Sequence, residues 1–170
     1  VLESINLITN KQGLGMSPKR ITVSTAGISK MIKKLGDDRV KFNLAISLHS
    51  AIDSKRDNLM PLNKKIKLAE LREAVRYFYD KTGARVTYEY ILFKDFNDSL
   101  EDAQKLVEFT KSIPCKINLI EYNTVESLPY EKASNKVTEA FIKYLEDHKI
   151  IVNLRRSKGK DISAACGQLA

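Results

Sequence analysis

Cysteine is scarce in this 170-residue chain: Cys115 and Cys166 are the whole supply. They lie far apart, so no CxxC pair and no zinc pattern can be read. No basic-then-apolar signal segment opens the chain, and a reducing, cytoplasmic location is the expectation. Glycine (7) and proline (4) are also sparse, which excludes collagen-like and low-complexity chains. No apolar run approaches the roughly 18 residues that a membrane-spanning helix needs, so no membrane role is expected. Several familiar motifs are missing as well. Gly13-Leu14-Gly15 follows no strand and lacks a third glycine, so it is no dinucleotide fingerprint. There is no Walker A loop, no HExxH and no GxSxG.

What remains is an ordered α/β composition. Apolar residues make up 43% and charged residues 29%, enough for a real core in one domain or a large piece of one. The net charge of +8 fits a polyanionic partner, most simply nucleic acid, and it fits ordinary solubility charge equally well. The chain starts at Val1 on a helical run to Asn10 that lacks a predecessor, so it reads as a piece of a longer protein.

Strands and helices alternate. Arg20–Thr25, Lys41–Ser47, Arg85–Phe93, Lys116–Tyr122 and Ile150–Arg156 read as strands. Helices are predicted over Ile28–Leu35 with Gly36 as the stop, from Leu68 to Thr82 with Gly83 as the stop, from Ser99 to about Ser112, and from Ser134 to His148. Asp161–Leu169 reads as a further short helix. In Lys41–Ser47, Leu44, Ile46 and Leu48 face one way and Asn43, Ala45, Ser47 and His49 the other, as in a strand that lines a site. Arg85–Phe93 is apolar on both faces by the same reading, as in a strand between two layers. Five such strands with crossover helices form a parallel sheet. It is either an open doubly wound sheet or part of a β/α barrel. Both put ligands beyond the carboxyl ends of the strands.

The polar residues at those ends are Ser24, Thr25, Ser47, His49, Asp95, Asn97, Asn123 and the segment after Arg156. Such a set suits a nucleoside or amino-acid ligand. His49 is open to three readings: a hydrogen-bonding loop residue, a ligand contact, or an acid/base. His148 lies on a helix stripe near a C-terminus and is structural. Asn97-Asp98-Ser99 is a turn and helix cap rather than a glycosylation site. Cys115 reads as a small buried hydrophobe. Cys166 lies among small residues, with Arg155, Arg156, Lys158 and Lys160 upstream, and fits a reactive thiolate or a packed thiol equally. The same basic run could hold phosphates.

Several stretches together resemble the RlmN/Cfr family of radical S-adenosylmethionine (SAM) RNA methyltransferases. They are Ser24-Thr25-Ala26-Gly27, Ala45-Ile46-Ser47-Leu48-His49, Pro61-Leu62-Asn63-Lys64-Lys65, Cys115-Lys116-Ile117-Asn118-Leu119-Ile120 and DISAACGQL from Asp161 to Leu169. The likeness runs end to end and lies nearer to RlmN than to Cfr. It implies a truncated, partial (β/α) barrel of the radical SAM type, with residues 1–170 forming the C-terminal portion of one catalytic domain. It implies methylation of carbon 2 of adenine in 23S rRNA and tRNA, or of carbon 8 in the Cfr manner, through an S-methylcysteine. Residue by residue, Cys166 matches the methyl carrier, and Ser24, Ser47, Leu48, His49 and Asn123 match SAM contacts. Arg155, Arg156, Lys158 and Lys160 are the expected RNA contacts. The family's [4Fe–4S] loop, CxxxCxxC, is absent, so the full-length protein would hold the cluster and this chain no metal. The chain alone is expected to be inactive. An electron donor is an expected partner, and self-association through an exposed edge strand is a further expectation. A non-enzymatic basic α/β RNA-binding module and a doubly wound small-molecule enzyme are the rival readings.

Overall fold

Strand order separates the two candidate architectures. In the computed structural model, which describes residues 1–125 and 128–156, five short runs form one sheet. They are β1 (Thr22–Thr25), β2 (Asn43–Ser47), β3 (Val86–Leu92), β4 (Cys115–Glu121) and β5 (Ile151–Arg155). Every pairing is parallel and the spatial order follows the chain, β1-β2-β3-β4-β5. A doubly wound sheet reverses its strand order at a switch point, because that is how helices reach both faces. No reversal occurs here. Successive right-handed crossovers then put their helices on one face. The sheet is a segment of a β/α barrel rather than a doubly wound sheet.

The register shows what each face is for. Residues paired across parallel strands point the same way. One face carries Leu44 and Ile46 of β2, Val86, Tyr88, Tyr90 and Leu92 of β3, and Ile117 and Leu119 of β4, all buried. They form one core with Ile32, Leu71, Phe78, Leu106, Phe141 and Leu145 from the helices. Tyr88 meets Phe109 edge-on at 5.6 Å, and Tyr90 meets Phe141 at 5.7 Å. Burying a Leu, Ile or Phe side chain contributes roughly 1.5–3 kcal/mol. The other face is mainly polar: Ser24, Ser47, Thr87, Glu89, Asn118 and Asn153. So β3 is not apolar on both faces, as its sequence suggests. Thr87 and Glu89 turn to the side without helices.

The helices are α1 (Leu2–Thr9), α2 (Ser29–Asp37), α3 (Asp53–Leu59), α4 (Leu68–Thr82), α5 (Leu100–Thr110) and α6 (Asn135–Asp147). The stripe predicted on α4 is the buried one, and Gly83 ends the helix at φ 64°. Ser99 caps α5 in a reciprocal box with Asp102, so Asn97-Asp98-Ser99 is the turn and cap it was read as. The Ser134 hydroxyl accepts from the Val137 N–H at the start of α6. Gly36 is a correction. It lies inside the last turn of α2, buried, where a Cβ would sit 3.2 Å from the Phe78 Cα. Glycine is there to let α2 and α4 approach, not to stop the helix. β1 starts at Thr22 because Pro18–Arg20 forms a 3-10 turn. Asp161–Leu169, with Cys166, Lys158 and Lys160, lies outside the described residues.

Candidate functional site

The carboxyl ends of β1 to β4 build the site, and its centre is the turn after β2. That strand ends at Ser47. Leu48 N–H and His49 N–H then both donate to the Glu89 carbonyl, at 3.0 and 3.3 Å, and Ser50 N–H closes onto the Leu48 carbonyl at 2.7 Å. His49 takes φ 57°, a left-handed conformation that few side chains accept. The turn swings its ring over β3, where Nδ1 accepts the Ile91 N–H at 3.2 Å. The imidazole replaces the carbonyl that a longer β2 would have offered. With Nδ1 an acceptor, the neutral ring carries its proton on Nε2. Burial, and then the charge of Arg56, lower its pKa to about 4. Of the three readings open from sequence, the structure shows the hydrogen-bonding loop residue; at neutral pH the ring is uncharged and poorly matched to proton exchange near pH 7.

Two residues hold this turn, and one of them, Arg56, had no role in the sequence reading. Arg56 of α3 is fully buried. Its Nε donates to the Leu48 carbonyl at 3.1 Å, and Nη2 donates to the Ala26 and Ser47 carbonyls at 3.0 and 3.2 Å. Nη1 donates to the Asn63 side chain at 2.7 Å. One guanidinium thus ties the ends of β1 and β2 together. Burial lowers its pKa, and Asp53 and Asp57 oppose the shift. Asn63 passes the contact on, donating to the Asp53 and Asp57 carboxylates at 2.9 and 2.6 Å. Gly27, at φ 102°, passes so close that a Cβ would lie 3.3 Å from Arg56 Nη2. The second holder is Asn97, also fully buried. Its amide donates to the His49 and Ile91 carbonyls at 2.7 and 2.9 Å, and its oxygen accepts the Phe93 N–H at 2.7 Å. Asn97 was expected to face a ligand; its side chain is spent on backbone instead. No periodicity marks either position. Arg56 sits in the uniformly polar run DSKRDNL, and Asn97 in a turn.

The polar face carries a connected row. Ser47, Glu89, Asn118 and Asn153 stand at one level on β2 to β5. Asn118 donates to Glu89 Oε1 at 2.8 Å, and Asn153 donates to Asn118 at 3.2 Å. Arg155 Nη1 stands 3.7 Å from Glu89 Oε2. Glu89 is the residue the strand pattern concealed. Ser24 is exposed on the same face, level with Ala45. Leu48 has its side chain in the core and both backbone polar groups engaged. Asn123 is buried two residues past the end of β4. Thr25 Oγ1 accepts the Gly27 N–H at 3.2 Å, and Asp95 is an exposed turn residue at φ 54°. Arg155 and Arg156 are exposed. His148 caps α6, exposed, against the Tyr144 ring and carbonyl.

Among the described residues no three His, Cys, Asp or Glu side chains gather as a metal site would need. Cys115 lies at the start of β4, away from the strand ends, and burial pushes its thiol up to about 11. Cys115 is the one thiol among the described residues, and a [4Fe–4S] cluster takes several, so the described residues alone do not supply its ligand set. Nor is any of their helices long and apolar enough to cross a membrane.

No protein-family model matches the chain. Curated proteins do. The chain is 55% identical over 170 residues to a protein of Flavobacterium psychrophilum named "Probable dual-specificity RNA methyltransferase RlmN", covering all of this chain and 49% of that protein. A protein of the same name from Flavobacterium johnsoniae is 54% identical, with the same coverage. Among solved structures, a radical SAM methyltransferase from Sphaerobacter thermophilus superposes with a TM-score of 0.93 at 35% identity, over 98% of this chain and 49% of that one. The chain spans about half the length of the curated relatives it matches.

Proposed function

The chain belongs to the RlmN family of radical SAM RNA methyltransferases, and from that premise we propose that it forms the C-terminal portion of a catalytic domain that binds SAM at its strand ends. In the whole protein that domain methylates carbon 2 of an adenine in 23S rRNA and tRNA. One observation carries the reading: a helix-free polar sheet face ends in the Ser47-Leu48-His49 turn, on a chain 55% identical to a protein named RlmN.

The donor set suits an adenosylsulfonium ligand. Ser24 and Ser47 offer hydroxyls, His49 an uncharged Nε2–H, Asn123 an amide and Glu89 a carboxylate. A neutral imidazole matters beside a sulfonium, since a protonated ring would repel it. Arg56 and Asn97 act through backbone, holding the turn so that these groups are oriented before the ligand arrives. When bound, SAM supplies a methyl group activated on sulfur. Carbon 2 of adenine is electrophilic and has no basic lone pair, so direct polar transfer to it fails and a radical route is required. With two cysteines, the chain has fewer thiols than such a cluster takes, so the proposal assigns the cluster to other residues of the whole protein. Cys166 is the proposed acceptor of the first methyl group, because a soft thiolate is a good nucleophile towards a sulfonium. Arg156, Lys158 and Lys160 are the proposed phosphate contacts. Arg155 is shared with Glu89.

In the full-length protein, Cys166→Ala should abolish RNA methylation and leave the cluster's absorption spectrum intact. Methylated adenine in RNA treated with that variant, found by mass spectrometry, would overturn the assignment.

A further inference from the structure

Deepening that reading and resting on it, we propose that Glu89 is a ligand-binding residue whose Oε2 accepts a hydrogen bond from a ribose hydroxyl of the adenosyl group. Three observations lead there. Glu89 stands on the helix-free face beside Ser47, in register with it. One carboxylate oxygen is committed, accepting from the Asn118 amide at 2.8 Å, and Asn153 holds Asn118 from the far side at 3.2 Å. The other oxygen, Oε2, is buried and has no hydrogen-bond partner among the described residues.

A buried carboxylate oxygen without a donor is costly and calls for a partner, and on a ligand-facing sheet surface a bound ligand can supply it. Sequence position alone would make Glu89 a mere strand residue; the row gives it a direction. Asn118 fixes the rotation of the carboxylate, so Oε2 cannot turn away to find another partner.

The kind of donor follows from Arg155. Its Nη1 is 3.7 Å from Oε2, too far for a hydrogen bond but near enough to compensate the charge. A second cation, such as an amino group of the methionine part, would meet that guanidinium. A neutral hydroxyl donor would not. Carboxylates recur as acceptors for ribose hydroxyls in nucleotide sites for the same reason: an ionised acceptor makes the shorter, stronger hydrogen bond.

The test is a binding cycle on the full-length, reconstituted protein, read by calorimetry with S-adenosylhomocysteine and its 2′-deoxy and 3′-deoxy analogues. Glu89→Gln keeps an oxygen for the Asn118 amide and removes the charge. It should weaken S-adenosylhomocysteine by roughly 10- to 100-fold, the range for a hydrogen bond to an ionised group. Deleting the contacted hydroxyl should cost the wild type a comparable factor, and cost the variant less than about threefold, because the two changes remove one interaction. Glu89→Asp withdraws the carboxylate by one methylene and should lose the same discrimination while keeping the charge. Equal affinity in wild type and both variants, or an undiminished hydroxyl effect in them, overturns the role of Glu89 and leaves the SAM site standing. A wild type that binds none of the three compounds overturns the site itself.

Discussion

Replacing Arg56 by lysine should damage this fold as much as replacing it by methionine. The guanidinium meets four acceptors in three directions: the Leu48 carbonyl, the Ala26 and Ser47 carbonyls, and Asn63 Oδ1. No carboxylate touches it directly, so its value lies in geometry more than in charge pairing. A lysine ammonium has three donors on a single nitrogen and reaches at most two of those acceptors. Two buried carbonyls left without donors cost roughly 2–4 kcal/mol at about 1–2 kcal/mol each. The cost of burying a cation remains. Methionine abandons all four acceptors and also removes the buried charge, whose desolvation costs several kcal/mol, so its net loss is again about 2–4 kcal/mol. Urea denaturation followed by circular dichroism reads this. With a slope near 2 kcal/mol per molar, both midpoints should fall by roughly 1–2 M at unchanged slope. A lysine variant within about 0.5 kcal/mol of wild type would show that a local positive charge suffices and that the fork is not needed.

The remaining expectations can be checked in the same way. His49 has a lowered folded pKa, so the unfolded chain takes up its proton first as the pH drops; stability should be flat above about 6.5 and fall towards pH 4, by at most roughly 3 kcal/mol. His49→Gln should remove that part of the pH dependence, and an unchanged profile would refute a buried neutral ring. Asn97→Ala orphans the Phe93 N–H and the His49 and Ile91 carbonyls, and should cost about 2–3 kcal/mol in denaturation. Gly36→Val drives a side chain into the Phe78 backbone and should cost about 1–3 kcal/mol; a neutral effect would mean that α2 and α4 separate freely. Neutralising Arg156, Lys158 and Lys160 in the full-length protein should flatten the dependence of RNA affinity on salt by roughly 0.7 per lost phosphate contact on single strands, and an unchanged slope would count against that surface.

The element order was legible because strand and helix carry different periods. Leu44, Ile46 and Leu48 alternate, and Leu68, Leu71, Val75 and Phe78 recur at helical spacing, so both segments fall where their patterns put them. Strand order was not legible, since no local pattern says which neighbour a strand pairs with. β3 shows the limit well. In VTYEYIL the tyrosines mask the alternation, and Glu89 looks like one polar residue in an apolar run; only the pairing with Ser47 and Asn118 reveals which face it serves. Ser24, Ser47 and His49 could be placed at the strand ends because the strands themselves were legible, and a parallel sheet puts its ligands beyond those ends. Arg56 could not be named, and Asn97 could be named but not its task, because each acts on backbone far along the chain, 30 residues from Ala26 in one case and 48 from His49 in the other.

The arrangement of charge ties these pieces to one another. Arg56 puts a permanent positive charge under the carbonyls of the β1 and β2 ends, and that field helps keep the His49 ring uncharged. Glu89 puts the negative charge one strand over, already part-compensated by Arg155. The strand-end floor therefore has a neutral donor on the β2 side and an ionised acceptor on β3, both locked by hydrogen bonds to backbone or amide groups. Exchanging the signs would not serve the proposed ligand. A protonated His49 would face a sulfonium with like charge, and a neutral residue at position 89 would leave the sugar a weaker acceptor. The buried cation that holds the turn and the titration of its histidine are thus one design. Removing the Arg56 charge with methionine should let the His49 pKa rise from about 4 wherever the turn survives, a shift that proton NMR of the ring can follow.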